Sequence, residues 1–111
     1  MTTWTTVGTR EQVDADNPIA AEIAGAKIGV FEVDGELHAI EDVCPHAHAL
    51  LSSGFVDGGE VECPLHNAVF DICSGRHLRG EPCRDLKIYP IRVVDRDIQV
   101  ADDQAEERKE P

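Results

Sequence analysis

Nowhere does the chain approach twenty consecutive apolar residues, and its opening MTTWTTVGTREQV alternates small polar and apolar groups, with no charged-then-apolar leader. Neither a membrane-spanning helix nor a secretory signal is expected. Cations are scarce: ten Lys and Arg against 22 Asp and Glu leave a net charge of −12. A surface that poor in basic groups cannot release counterions from nucleic acid or approach anionic lipid, so the expected partner is a basic protein. Catalytic apparatus is missing as well. No Ser/His/Asp set, phosphate-cradling glycine loop or paired-carboxylate site stands out from the general acidity. The expectation is a cytoplasmic protein that is not itself an enzyme.

The 111 residues suffice for one domain with a modest core, which a bound metal centre would help to fix. Four cysteines in a cytosolic chain read more readily as metal ligands and free thiols than as disulfides. The acidity is uneven. Residues 1–43 carry −7, residues 44–83 only −3 and residues 84–111 carry −2.

The informative stretch is CPHAHALLSSGFVDGGEVECPLH, from Cys44 to His66. It offers Cys44-x-His46 and, after sixteen residues, Cys63-x-x-His66: two soft thiolates and two imidazoles in matched pairs, a set that suits iron or zinc. In a mixed Cys/His [2Fe–2S] centre one iron keeps two thiolates and the other takes two imidazoles, so two facing Cys-then-His loops would supply one of each. A Cys2His2 zinc site needs the same ligands but usually groups the thiolates in one pair and the histidines in the other. Here each pair is mixed, yet a structural zinc module remains the alternative from residue types alone. His48 lies two residues beyond His46, and spacing does not choose between the two.

That interleaving, with Pro45 and Pro64 directly after the cysteines, resembles the two ligand boxes of Rieske-type ferredoxins, the small electron carriers of bacterial aromatic-ring dioxygenases. The resemblance covers nearly the whole chain. It implies that Cys44 and Cys63 hold one iron of a [2Fe–2S] cluster while His46 and His66 hold the other through Nδ1, leaving His48 as an exposed loop histidine. It further implies a soluble monomer that takes single electrons from an NADH-dependent flavoprotein reductase and hands them to a terminal oxygenase, both bound transiently. A redox subunit fixed permanently to one enzyme is the other reading. High-potential relatives carry an additional cysteine in each box, where this chain has Ala49 and Leu65. They also carry a serine and a tyrosine two and four residues after the second histidine, where Ala68 and Phe70 stand here. Asn67 replaces the small residue usual after that histidine.

The implied fold is all-β: an antiparallel sandwich base with a smaller cluster-binding lobe of two ligand loops and a proline loop at Gly80-Glu81-Pro82. Alternation and turn signals agree, predicting strands at residues 4–8, 20–23, 27–33 and 36–41, with Asp34-Gly35 turning a hairpin. Further strands are expected at 60–63, 68–72, 76–79, 86–94 and 97–101. Trp4 is expected in the core, His38 as a half-buried strand histidine, His77 at the surface, and Cys73 and Cys83 as free thiols. The domain is expected to span 1–101, its lobe about 43–84, and the charged segment 102–111 to be disordered.

Overall fold

The structure, a computed structural model, describes residues 3–44, 49–64, 68–80 and 83–101. Its described elements are eleven strands and two 3-10 turns in an all-β architecture. The strands form three antiparallel sheets: β1 (Trp4–Thr9) with β11 (Asp97–Ala101) and β10 (Ile91–Val94); β2 (Ile19–Ile23), β3 (Ala26–Val33), β4 (Glu36–Glu41) and β9 (Ile88–Tyr89); and β5 (Phe55–Asp57), β6 (Glu60–Glu62), β7 (Val69–Asp71) and β8 (His77–Arg79).

The second sheet is the middle layer, and its sequence shows why. Ile28, Val30 and Phe31 on β3 and Ala39 and Ile40 on β4 are all at most 2% exposed, an unbroken apolar run instead of the alternation of a one-sided strand. Cross-strand pairing sorts them. Val30 faces Ala39, and Ala39 faces Tyr89; these pack with Ile98 and Val100 of the first sheet to fill the sandwich. On the opposite face Phe31 and Ile40 join Val61 and Phe70 from the small sheet, with Leu51 from the 3-10 turn before it and Ile72 from the turn after β7. One sheet thus closes two cores.

The predicted strand at 86–94 is two strands in different sheets. Pro90 has no N–H to offer a ladder, and there the chain leaves β4, where Tyr89 pairs with Ala39, and crosses to β11, where Ile91 pairs with Val100. Trp4 is half-buried and lies outside both core clusters, with the Arg92 guanidinium 4.1 Å above its ring. His77 is also only half-buried, its ring set edge-on to Phe70 with centroids 5.5 Å apart. The predicted proline loop at 81–82 and tail at 102–111 fall outside the described residues.

Candidate metal centre

Residues 42–87 are inserted between β4 and β9, two strands that are hydrogen-bonded neighbours in the middle sheet. Within the insertion the chain makes the same turn twice. Val43 bridges to Leu50 and the Cys44 N–H donates to the Ala49 carbonyl at 2.8 Å. Nineteen residues later Glu62 pairs with Val69 and the Cys63 N–H donates to the Ala68 carbonyl, again at 2.8 Å. Each loop is therefore a six-residue hairpin loop, 44–49 or 63–68, with its cysteine at the first position. Counted from that cysteine, the first histidine comes at the third position and the second at the fourth.

The base of the second hairpin continues as a ladder, Val61 against Phe70. At the equivalent place in the first stands Asp42, and its bonds replace the ladder. The Leu51 N–H donates to its carbonyl at 2.7 Å, while the Ser52 N–H and hydroxyl donate to its carboxylate at 2.7 and 2.6 Å. Gly29 on β3 makes the room: a Cβ there would meet the Asp42 carboxylate at 2.9 Å. Asp42 is buried, and burial pushes its carboxyl up from the ordinary range although the Ser52 bonds pull the other way.

Both thiols end in one place. Cys44 and Cys63 are each 1% exposed and belong to the same core cluster. Neither forms a disulfide. Cys83 packs against that cluster, its thiol interacting with the Cys44 side chain and within electrostatic reach of Cys63. The segment carrying it is tied down by Arg84, whose guanidinium donates to both Glu41 carboxylate oxygens at 2.9 and 2.7 Å, and by the Lys87 N–H, which donates to Glu41 at 3.0 Å. Burial alone would raise the Glu41 carboxyl, but these donors outweigh it and hold it below its ordinary value.

Of the four predicted ligands the structure brings Cys44 and Cys63 together; His46 and His66, with His48, lie outside the described residues. Two buried thiols, neither in a disulfide, at matching positions of twin loops fit a group that needs two thiolates on one side. The sequence did not show that Cys83 joins them, because it is 39 residues from Cys44 and only the closing of the insertion brings it near. Cys73 is exposed, with its sulfur 3.4 Å from Nε2 of the half-buried His38. Burial and the carboxylates of Asp71, Glu36 and Asp34 raise its thiol, so it is a poor nucleophile. A cleft of about 250 Å³ is lined by residues such as Asp16, Glu32, Asp34 and Asp57, and none of the four cysteines lines it.

The chain has clear relatives among known proteins. The anthranilate 1,2-dioxygenase ferredoxin subunit of Burkholderia cepacia is 42% identical over 98 residues, 87% of this chain and 90% of that one. The ferredoxin component of the naphthalene 1,2-dioxygenase/salicylate 5-hydroxylase systems of a Ralstonia species is 33% identical over 90 residues, 81% and 86% of the two chains. Among solved structures, the complex of reduced oxygenase and oxidized ferredoxin in carbazole 1,9a-dioxygenase contains a chain that matches with a TM-score of 0.84 at 29% identity, over 92% of this chain and 95% of that one. The Rieske [2Fe-2S] domain profile matches residues 3–90, and the chain belongs to that family, whose cofactor is one [2Fe–2S] cluster.

Proposed function

We propose that this protein is the ferredoxin component of a bacterial aromatic-ring dioxygenase system, passing single electrons from an NADH-dependent flavoprotein reductase to a terminal oxygenase. The observation that carries the reading is the pair of buried thiols on twin hairpin loops in a chain whose relatives are named ferredoxin components. Cys44 and Cys63 would hold one iron and His46 and His66 the other; the cluster, when bound, accepts and returns one electron. The protein's own part is to fix the two loops against each other. Asp42 locks the first at its base, the β6–β7 ladder locks the second, and the Glu41–Arg84 pair closes the segment that brings Cys83 beside both thiols. The working unit is a single domain of residues 1–101 with its lobe at about 43–84, acting as a cytoplasmic monomer; among the described residues no helix is long and apolar enough to cross a membrane.

Purification under anaerobic conditions tests this. A red-brown protein with two irons and two acid-labile sulfides per chain, reduced by such a reductase and reoxidised by an aromatic-ring oxygenase with product formed, is the expected result. A colourless protein with one zinc would refute the cluster. A coloured protein that co-elutes with one enzyme through gel filtration and never exchanges would refute the mobile carrier.

A further inference from the structure

The small sheet has two faces of opposite character. Val56, Val61 and Phe70 turn inward, and the other face carries Phe55, Glu62, Val69 and Arg79 in one row of paired residues and Asp57, Glu60 and Asp71 in the next. Phe55 stands out. Its side of the sheet meets solvent with the residue 65% exposed, whereas the other large exposed apolar residues, Leu78, Val93 and Val94, are at 42–44%. Scattered apolar residues are ordinary, but this ring is ringed by acids. Four of the five carboxylates of residues 44–83 lie on its face, against one guanidinium, that of Arg79, which already donates to Glu60 at 2.7 Å. The modest −3 of this segment conceals that segregation.

The face also adjoins the metal centre. Pairing sets the Phe55 Cα about 5 Å from that of Glu62, and the residue after Glu62 is Cys63. Gly54 lies so close to the second loop that a Cβ there would meet the Glu62 carbonyl at 2.1 Å and Pro64 Cδ at 3.1 Å. The aromatic ring is thus anchored directly beside the loop that carries Cys63 and His66. The cleft next to it, about 100 Å³, is far too small for an aromatic substrate. The acids exclude nucleic acid and anionic lipid. What remains is a protein surface offering an apolar seat ringed by lysine and arginine, because solvent-exposed aromatics anchor interface centres and surrounding charge steers encounter.

We propose that the Phe55 face, with its rim of Asp57, Glu60 and Glu62, is the docking surface for the terminal oxygenase. The inference rests on the electron-carrier reading above, and the oxygenase is chosen over the reductase because a relative of this fold is found in complex with its oxygenase. The test uses the cluster-loaded protein and the terminal oxygenase of its own system, immobilised, with Kd measured at fixed ionic strength. Phe55→Ser should weaken binding about tenfold, the loss of one aromatic anchor, while its visible spectrum stays that of the parent. Val93→Ser, on the distant first sheet, should bind as the parent does. Equal affinity of Phe55→Ser and parent, or weakened binding to the reductase alone, would overturn the assignment. A parent that binds no oxygenase and yields no product would instead overturn the carrier reading beneath it.

Discussion

Gly54 is the position at which one methyl group should do the most damage to the metal centre. Its added Cβ would lie 2.1 Å from the Glu62 carbonyl oxygen, 3.1 Å from Pro64 Cδ and 3.2 Å from the Leu51 carbonyl. Two of those three neighbours are backbone, so no side chain can swing aside. To reach van der Waals distance the strand ending at Glu62 must move by roughly 1 Å, and Cys63 moves with it. Overpacking of this kind costs about 1–3 kcal/mol, which for a domain of this size lowers the thermal midpoint by roughly 5–15 °C. The comparison is between Gly54→Ala and parent at one scan rate, both cluster-loaded, followed at the visible absorption, so that any irreversible loss of the cluster affects both alike. The variant should lose colour at lower temperature and show altered EPR g-values, since a displaced thiolate changes the iron's surroundings. A variant matching the parent in both would show that the close approach at Gly54 does not position the second loop.

Four further outcomes are expected. His46→Ala should abolish the visible spectrum and lower thermal stability, and His48→Ala should leave the spectrum intact; the reverse would reassign the ligand. The midpoint potential should lie near the bottom of the Rieske range, on the order of −150 mV, because Ala68 and Phe70 offer no hydroxyl to the cluster; Ala68→Ser and Phe70→Tyr should each raise it in voltammetry, and a positive midpoint in the parent would refute this. Glu41→Gln should destabilise the protein at neutral pH by on the order of 1 kcal/mol, the limit for a pair whose arginine is half exposed. Since the folded Glu41 carboxyl lies below its ordinary 4.5, that difference should be present above about pH 5 and vanish as pH falls through the lowered value, and a pH-independent gap would exclude the linkage. Electron transfer to the oxygenase should slow as salt rises from dilute to several tenths molar, and salt-independent rates would leave only the Phe55 ring to explain docking.

How much of this was legible in the sequence depended on the range of the contact. The two ligand boxes, the hairpin at Asp34-Gly35 and the alternating strands are local, set by spacing, turn residues and period, and the structure has the strands close to where the pattern put them. The split at Pro90 was locally signalled, because a proline inside a nine-residue β-pattern marks an edge or a break, yet which sheets the two halves join is tertiary. β5 was harder. Two residues between Gly54 and the Asp57-Gly58-Gly59 turn are too few for alternation to register, so no strand carrying Phe55 was expected. Trp4 looks like core from its residue type; its ring instead supports the Arg92 guanidinium, a contact across β11 within one sheet that composition does not reveal. The Cys83 neighbourhood likewise exists only once residues 84–87 fold back on Glu41.

The placement of the insertion explains why so small a domain can hold two loops in fixed register. The strands that enter and leave it, β4 and β9, are adjacent in a sheet whose two faces are both buried, so the ends of the lobe are clamped by Ala39 against Tyr89 and Ile40 against Ile88 before any lobe residue contributes. Immediately beyond that ladder the Glu41 N–H donates to the Lys87 carbonyl at 2.8 Å, and the Glu41 side chain takes the Lys87 N–H and the Arg84 guanidinium. One glutamate therefore joins the entry strand to the segment behind Cys83, three residues before Cys44. The order of the bonds matters. Once the β4–β9 ladder has closed the long loop, each further tie closes only a short one, which keeps the entropic cost of fixing it small. The two thiols are therefore positioned by one long-range closure, β4 against β9, with the short ties of Glu41 built on it.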